Sequence, residues 1–387
     1  MQNAQPYGIP LPDTRSTGRL RVLDAIRRAG QIARIDIARQ TGLSPATVTT
    51  ITSDLLQAGL ITPILADDRP TGQRRGRPRE ALKLRGEARL IAGLKVAKHA
   101  ITVLLVDFEG QEIGSHEFNL PQSQFTGTGL CMEIIAAVSE ACAHHGLAIE
   151  YLSGIAIGLA GQINGKTGFV HWSSALVRRN VDLGMMLSER VPCPVFIEND
   201  ANLVAKAEHL FGDGRGARNF LVVTLEYGLG LGMVIDGQLY RGARGCGGEF
   251  GHTKVESNGA LCQCGQHGCL EAYAGAYALA QADTTQHEKA RRLFAMGLAN
   301  LVNLFDPELL ILASKDGLKH PLCSASVLAD VSDMVVKVDV PMPQIRVHGW
   351  GDLLWAKGAA AYGIEQVAAL AVRDLGSATQ AVPASAG

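Results

Sequence analysis

The sequence has no run of about 18 uncharged apolar residues, so no segment reads as a membrane-crossing helix. Its amino end, Met1 to Pro12, lacks the basic segment followed by an apolar one that marks a secretion leader, and the cytoplasm is the expected compartment. No tandem repeat with a period of about 20–50 residues occurs, which speaks against a solenoid or propeller. Charge is not abundant either: 19% of residues are charged against 47% hydrophobic, which excludes a disordered chain. Cysteine is sparse, eight in 387 residues and scattered except for Cys262, Cys264 and Cys269, which argues against a disulfide framework and for a metal at that cluster. The length calls for two or three folded units, and the apolar content suffices for sizeable cores.

The net charge of −1 conceals a segregation. Residues 1–90 hold 15 Lys/Arg against 8 Asp/Glu, whereas the remainder holds 21 against 29. A basic front on an acidic body points to an anionic partner for the front alone, most often nucleic acid.

That front reads as a winged helix-turn-helix over 14–85. From Arg15 to Ala29, Leu20, Leu23 and Ile26 recur every three positions, and Gly30 stops the helix. A short helix fits Arg34 to Thr41, with Ile37 and Ala38 inward, and Gly42 turns the chain. Ser44 can cap a third helix and Pro45 suits its first turn, where a missing N–H costs nothing. Val48, Ile51 and Leu55 then form the buried stripe, leaving Ala46, Thr47, Thr49, Thr50 and Ser53 on other faces. The stretches Ile61–Leu65 and Ala81–Leu84 read as two wing strands. Between them Arg74, Arg75, Arg77 and Arg79, with Gly and Pro interspersed, read as an extended basic segment fit for a minor groove; a solvated linker is the bland alternative. The expected DNA-contacting set is Ser44, Ala46, Thr47, Thr49, Thr50, Arg74, Arg75 and Arg77. Methyl-bearing Ala and Thr suit thymine methyls and none makes a bidentate contact to guanine, so an A·T-rich, roughly palindromic double-stranded operator is expected. A protein-interaction role for the front is the alternative.

From Leu90 onward strands and helices alternate, giving an α/β body. Strands are expected at Leu90–Lys95, Ala100–Asp107, Gly154–Gly158, Val195–Glu198, Phe220–Leu225, Gly232–Ile235 and Leu309–Leu312. Helices are expected at Met132–His145, Leu183–Glu189, Ala201–Phe211, Glu288–Phe305 and Trp355–Val372, with 1–13 and 375–387 disordered.

Gly248-Glu249-Phe250-Gly251-His252 followed by Cys262, Cys264 and Cys269 is the strongest local signal. The four can supply a closed tetrahedral Cys3His site for a structural Zn2+ ion. Three free buried thiols, or His267 in place of His252, are the alternatives.

These motifs, together with Cys269-Leu270-Glu271, Glu198-Asn199-Asp200 and Asn300-Leu-Val-Asn-Leu-Phe-Asp-Pro307, resemble the ROK family of repressors, open reading frames and sugar kinases, over about residues 15–372. The helix-turn-helix front resembles its repressor branch. The resemblance implies an actin-like, RNase H-like body of two α/β lobes, at 89–203 and 204–351, with a carboxy-terminal helix at about 352–373 packing back on the first. It also implies a cleft where Asn199, Asp200, Glu249, His252 and Glu271 hydrogen-bond a sugar or sugar derivative, Asp200 standing at the kinase's general-base position. Family kinases open with Asp-x-Gly-Gly-Thr-Lys; here the stretch is Lys95-Val-Ala-Lys-His-Ala100. The second phosphate loop reads Glu226-Tyr-Gly-Leu-Gly-Leu-Gly232, adding a carboxylate and a ring, and the glycine pair of the nucleotide-base element reads Ala313-Ser-Lys-Asp316. No ATP and no catalysis are therefore expected. The family's Pro-Asn-Leu reads Ser174-Ala175-Leu176, so an amide contact is lost, with Trp172, Ser173, Ser174, Arg178 or Arg179 as candidates to replace it. The resulting expectation is a homodimeric or homotetrameric sugar-responsive repressor; a sugar kinase with a DNA-binding appendage and a repressor controlled by a sugar-transport protein are the alternatives.

Overall fold

A computed structural model describes residues 14–64, 80–349 and 351–380. Arg74, Arg75, Arg77 and Arg79 lie outside these residues, so the basic segment of the wing is not placed.

The head contains α1 (Thr14–Ala29), β1 (Ile32–Ala33), α2 (Arg34–Thr41), α3 (Pro45–Gln57), β2 (Ile61–Ile64) and β3 (Ala81–Leu84). Gly42 ends α2 in the left-handed region at φ 67°, which favours glycine. Ser44 starts α3 by accepting the Thr47 amide at 3.1 Å, with Pro45 in the first turn. The wing has a third strand that the sequence pattern does not reveal: β1 pairs with β3, which pairs with β2. Two residues are too few to show an alternation.

The body begins with β4 (Leu90–Val96), β5 (Ala100–Asp107), β6 (Glu112–Asn119), α4 (Gly127–His144), β7 (Gly154–Leu159), β8 (Gly161–Asn164), β9 (Phe169–Ser173), α5 (Leu183–Ser188), β10 (Val195–Asn199) and α6 (Asp200–Phe211). It continues with β11 (Phe220–Leu225), β12 (Leu229–Ile235), β13 (Gln238–Leu239), α7 (Glu271–Ala274), α8 (Ala276–Leu279), α9 (Thr284–Phe305), β14 (Leu309–Ser314), α10 (Ala325–Met334), β15 (Gln344–Gly349) and α11 (Asp352–Gln380). The sheet orders are β10-β7-β4-β5-β6 and β13-β12-β11-β14-β15. In each, a three-strand antiparallel meander is extended on its first strand by two parallel strands. The two lobes thus repeat one topology, although the sequence carries no tandem repeat.

One face of the first sheet packs on α4 and α5 through residues such as Leu94, Val103, Ile134, Val138 and Leu187. The other face, through Ile91, Leu104 and Val106, shares a core with α11 and with Val22, Leu23 and Ile26 of the head. The winged head is therefore packed on the body.

Two expectations change. The boundary at 203/204 falls inside α6, one continuous helix packed against both α11 and β12. Residues from 375 on are helical as far as Gln380, because Leu375 packs against the shared core and no proline occurs before Pro383. The sequence reading also passes over β6, β13, β15, the β8–β9 hairpin and α10; β6 is an edge strand, half-exposed and polar, so its apolar signal is faint. Among the described residues no helix is long and apolar enough to cross a membrane.

On β15, His348 lies between two carboxylates: Nδ1 is 2.7 Å from Oε1 of buried Glu208 and Nε2 is 2.9 Å from Oδ2 of Asp213. These bonds raise its pKa above the ordinary histidine value, ahead of the opposing effect of burial. The stabilisation is complete below the unfolded histidine pKa and is lost as pH rises through the higher folded value. Urea unfolding of wild type and His348→Gln should differ by about 1 kcal/mol at pH 5.5. The gap should narrow towards pH 9, whereas a pH-independent gap would remove the imidazolium from the account.

Candidate functional site

The cleft is built where the two lobes face each other. The β10–α6 junction brings Asn199 and Asp200 to its floor from the first lobe. Asn199 caps α6 by accepting the Asn202 amide at 3.2 Å and donates through Nδ2 to the Gly161 carbonyl at 3.0 Å. From the second lobe come Glu249 and His252, and Glu271 at the start of α7, whose Oε2 accepts the Leu229 amide at 3.0 Å. All five line one cavity of about 160 Å³, with Trp172 and Ser174 on its wall. Arg178 and Arg179 are exposed and absent from that wall, and Ser173 is buried with its hydroxyl donating to the Ala160 carbonyl at 2.7 Å. Of the candidates for the lost amide contact, Trp172 and Ser174 are thus in place.

The carboxyl groups of Asp200, Glu249 and Glu271 converge here. Desolvation, followed by the nearby Glu271 and Asp200 charges, pushes Glu249 up to about 7. Desolvation also raises Asp200, opposed by Lys95 and by the Ala201 amide, which donates to Oδ1 at 2.9 Å. A Glu249 carboxyl poised between donor and acceptor states, beside two further carboxyl groups, is suited to a polyhydroxylated ligand.

Beside this cavity lies a second chamber of about 460 Å³, where the stretch from Lys95 to Lys98 faces Glu226 and Tyr227. Lys95 on β4 reaches across the cleft to the loop after β11, its Nζ 2.9 and 2.8 Å from the two carboxylate oxygens of Glu226. Lys95 is only 4% exposed, and its ammonium also sits 4.1 Å from the Trp355 ring centroid. The sequence reading treats each substitution as a separate loss; the structure pairs them. The available signal was an acid replaced by Lys95 in one loop and a carboxylate gained at Glu226 in another. A further pair escaped the reading altogether: Arg241 Nε of the second lobe is 2.5 Å from Oε2 of fully buried Glu198. Asn199 N and Asn202 Nδ2 also donate to Glu198 Oε1, both at 3.0 Å.

The His/Cys cluster is assembled by a glycine-rich loop between His252 and α7. The donor atoms of His252, Cys262, Cys264 and Cys269 all lie within 4.8 Å of one another. Cys264 Sγ is 3.7 Å from Cys269 Sγ, and Cys262 Sγ is 3.7 Å from His252 Nδ1. A tetrahedral ion with metal–sulfur bonds of about 2.3 Å would separate its ligands by roughly 3.5–3.8 Å, so the donors fit a four-coordinate metal. His267 is turned away, its Nδ1 3.0 Å from the Gly259 carbonyl, which leaves His252 as the nitrogen donor. Gly268 holds φ 72°, and a Cβ there would lie 1.8 Å from the Glu256 carbonyl oxygen, so no other residue fits that turn. Lys254 Nζ lies 2.9 Å from Cys269 Sγ, where it would offset the excess negative charge that three thiolates would bring to a divalent ion. His252 faces both sites: Nδ1 points to the cysteines, while Nε2 is 3.8 Å from Glu249 Oε2 in the cleft.

On the head, Ser44, Ala46, Thr47, Thr49 and Thr50 are all exposed at the amino-terminal end of α3. The Thr49 and Thr50 hydroxyls donate to the Pro45 and Ala46 carbonyls, at 2.8 and 3.2 Å. Their hydroxyl protons are thereby committed within the helix.

The sequence profile of the ROK family matches residues 91–292, more than half of the chain, and that of winged helix-turn-helix DNA-binding proteins matches residues 19–62. The xylose repressor of Bacillus spizizenii is 28% identical over 342 residues, spanning 81% of this chain and 86% of its own. A crystal structure of a ROK family transcriptional regulator, described as a homologue of the E. coli Mlc protein, superposes with a TM-score of 0.75 at 23% identity, covering 92% of this chain and 97% of its own. A ROK family glucokinase from Streptomyces griseus, solved with glucose and AMPPNP, superposes at 0.61 with 27% identity, covering 71% of this chain and 99% of its own.

Cys264→Ser should remove one of four donors. We expect the metal bound per purified chain to fall well below that of wild type, and the melting temperature to drop by several degrees; equal metal content would place the ion elsewhere. The four-donor cluster, the paired lobes and the winged head together assign the chain to the ROK family.

Proposed function

We propose that this chain is a cytoplasmic, sugar-responsive DNA-binding transcriptional repressor of carbohydrate uptake or catabolism genes, and that it has lost kinase activity. The observation that carries the second half is the Lys95–Glu226 pair. Lys95 stands where family kinases carry an acid, and its charge is already taken up by Glu226. A nucleotide phosphate entering the chamber would meet the like-charged Glu226 carboxylate and would have to displace it from Lys95. Asp200, the general-base position of a kinase, is left to bind.

In this reading the effector sits in the cleft, its hydroxyls facing Asn199, Asp200, Glu249, His252 and Glu271. His252, Cys262, Cys264 and Cys269 hold a Zn2+ ion whose closed coordination braces the loop and fixes the imidazole tautomer presented to the ligand. Ala46, Thr47, Thr49 and Thr50 contact bases, Ser44 positions α3, and Arg74, Arg75 and Arg77 enter an A·T-rich minor groove; a homodimer matches a roughly palindromic operator. The Lys95–Glu226 and Glu198–Arg241 pairs both bridge the cleft, so a ligand between them alters the angle between the lobes and with it the spacing of the paired heads. Regulation then requires different ligand affinities in the free and operator-bound states, with reciprocal effects.

The test is a thermal-shift panel on metal-loaded protein: neutral sugars, amino sugars, polyols and sugar phosphates, each with and without Mg-ATP. The relative named for xylose and the glucokinase solved with glucose make neutral aldoses the first probes. One sugar class should raise the melting temperature and weaken operator binding by the factor by which the operator weakens sugar binding, while Mg-ATP does neither. A shift by Mg-ATP together with phosphorylated sugar would restore the kinase reading. Silence across the panel would move control to a protein partner.

A further inference from the structure

A second cavity, of about 320 Å³, lies at the joint between the head and the body, walled by α1, α6, α11 and the turn at Gly237 and Gln238. We propose that it is a binding site for a small anion bearing a carboxylate or phosphate group, and that Arg27 is its recognition element. Arg27 lines the cavity, and the Nε and Nη2 atoms of its guanidinium are buried beside it without a hydrogen-bond partner. They are the only such side-chain atoms among the described residues. Together they form one edge of the guanidinium, the edge that can donate two parallel bonds to a carboxylate or phosphate. Leaving charged donors buried without an acceptor is costly, and a ligand oxygen would relieve that cost.

The surrounding charges do not supply the acceptor. From α1, Arg28 Nε is 2.9 Å from Asp24 Oδ2, so that carboxylate is engaged. The other acid on the wall, Glu365 of α11, is engaged by Lys206 of α6 at 2.6 Å. Arg21 donates to the Thr41 carbonyl within the head. His209 of α6 completes the charged and titratable lining, and burial holds its pKa below the ordinary value. The Phe108 ring centroid, 5.5 Å from Arg27 Cζ, attracts the cation but offers no lone pair. With two acids paired to two other cations, Arg27 and Arg21 leave the cavity electropositive.

The location defines what such a ligand would do. One wall belongs to the DNA-binding head and the others to α6 and α11 of the body, so a bound anion ties the head in this orientation. That makes it an input separate from the inter-lobe cleft, and independent of whether the cleft binds a sugar. A DNA phosphate is a poor occupant, because two body helices form the walls.

The full-length protein is titrated with inorganic phosphate and, separately, with citrate, at constant ionic strength set with sodium chloride, following the melting temperature. Wild type should show a saturable rise of a few degrees with at least one of the two. Arg27→Met should abolish it, Arg27→Lys should weaken apparent affinity at least about tenfold by removing the fork while keeping the charge, and Asp200→Asn should retain it. In chloride alone Arg27→Met should melt no lower than wild type, because its unpaired buried charge is gone; if that variant does not fold, Arg27→Lys carries the comparison. A preference for phosphate over citrate, or the reverse, separates the two anion sources. The proposal is overturned if the wild-type melting temperature responds to neither anion, if the rise persists undiminished in the Arg27 variants, or if it disappears in Asp200→Asn, which would place the anion in the cleft.

Discussion

The close approach of α11 to β4 is the contact on which the rest of the molecule depends. A Cβ on Gly93 would lie 2.4 Å from the Ala360 nitrogen and 2.6 Å from the Ala356 carbonyl oxygen, and one on Gly358 would lie 2.3 Å from the Leu203 carbonyl oxygen. The helix therefore rests on the strand and on α6 almost backbone to backbone, through Gly358, Ala359, Ala360 and Gly363. In that position its larger side chains reach every other unit. Trp355 lies under the Lys95 ammonium, the Tyr362 ring lies 5.6 Å from Arg241 Cζ, Glu365 pairs with Lys206, and Ile364, Val367 and Ala368 join the core shared with the head. Protein interiors transmit displacement because they are packed like crystals. A shift of this helix would be felt at both cleft-bridging ion pairs and at the DNA-reading unit.

The second constraint is electrostatic. Lys95 and Glu198 are nearly or fully buried, and each reaches its partner only when the lobes are in this arrangement. Paired buried charges of this kind contribute little to net stability compared with apolar contacts, but separating them is expensive. They therefore favour a discrete relative position of the lobes over a continuum, the kind of two-state element that ligand control needs. The fold supplies the framework twice over, since each sheet repeats the same meander extended by two parallel strands. The cleft is the seam between the copies.

Much of this was legible in the sequence. The spacing of Leu20, Leu23 and Ile26, the Ser44-Pro45 helix start, and the buried strands such as Ala100–Asp107 and Phe220–Leu225 each carry a local signal strong enough to survive tertiary context. The cluster that could hold a metal was legible because three cysteines and a histidine lie within 18 residues. The lining of the cleft by Asn199, Asp200, Glu249, His252 and Glu271 followed from motif resemblance, since their positions span 73 residues and no periodicity connects them. Edge strand β6 and the two-residue β1 stayed hidden because half-exposed or very short strands have too little alternation to stand out. Helix α11 outran its expected end because Leu375 finds a partner in the shared core, a contact invisible from composition alone.

By itself the sequence determined the local units: capped helices, alternating strands, a loop with four donors fit for a metal, and the absence of the phosphate-loop glycines. Each rests on interactions between residues close in the chain, or on a residue type that permits or forbids a backbone geometry. Tertiary structure alone decided which distant charges meet. Lys95 and Glu226 are 131 residues apart, Glu198 and Arg241 are 43 apart, and the cavity beside Arg27 takes its walls from four regions of the chain. A side chain's charge can be read from its letter. Whether that charge is neutralised, solvated or left waiting for a ligand depends on desolvation and on what the fold places within a few ångströms, and both are properties of the assembled molecule.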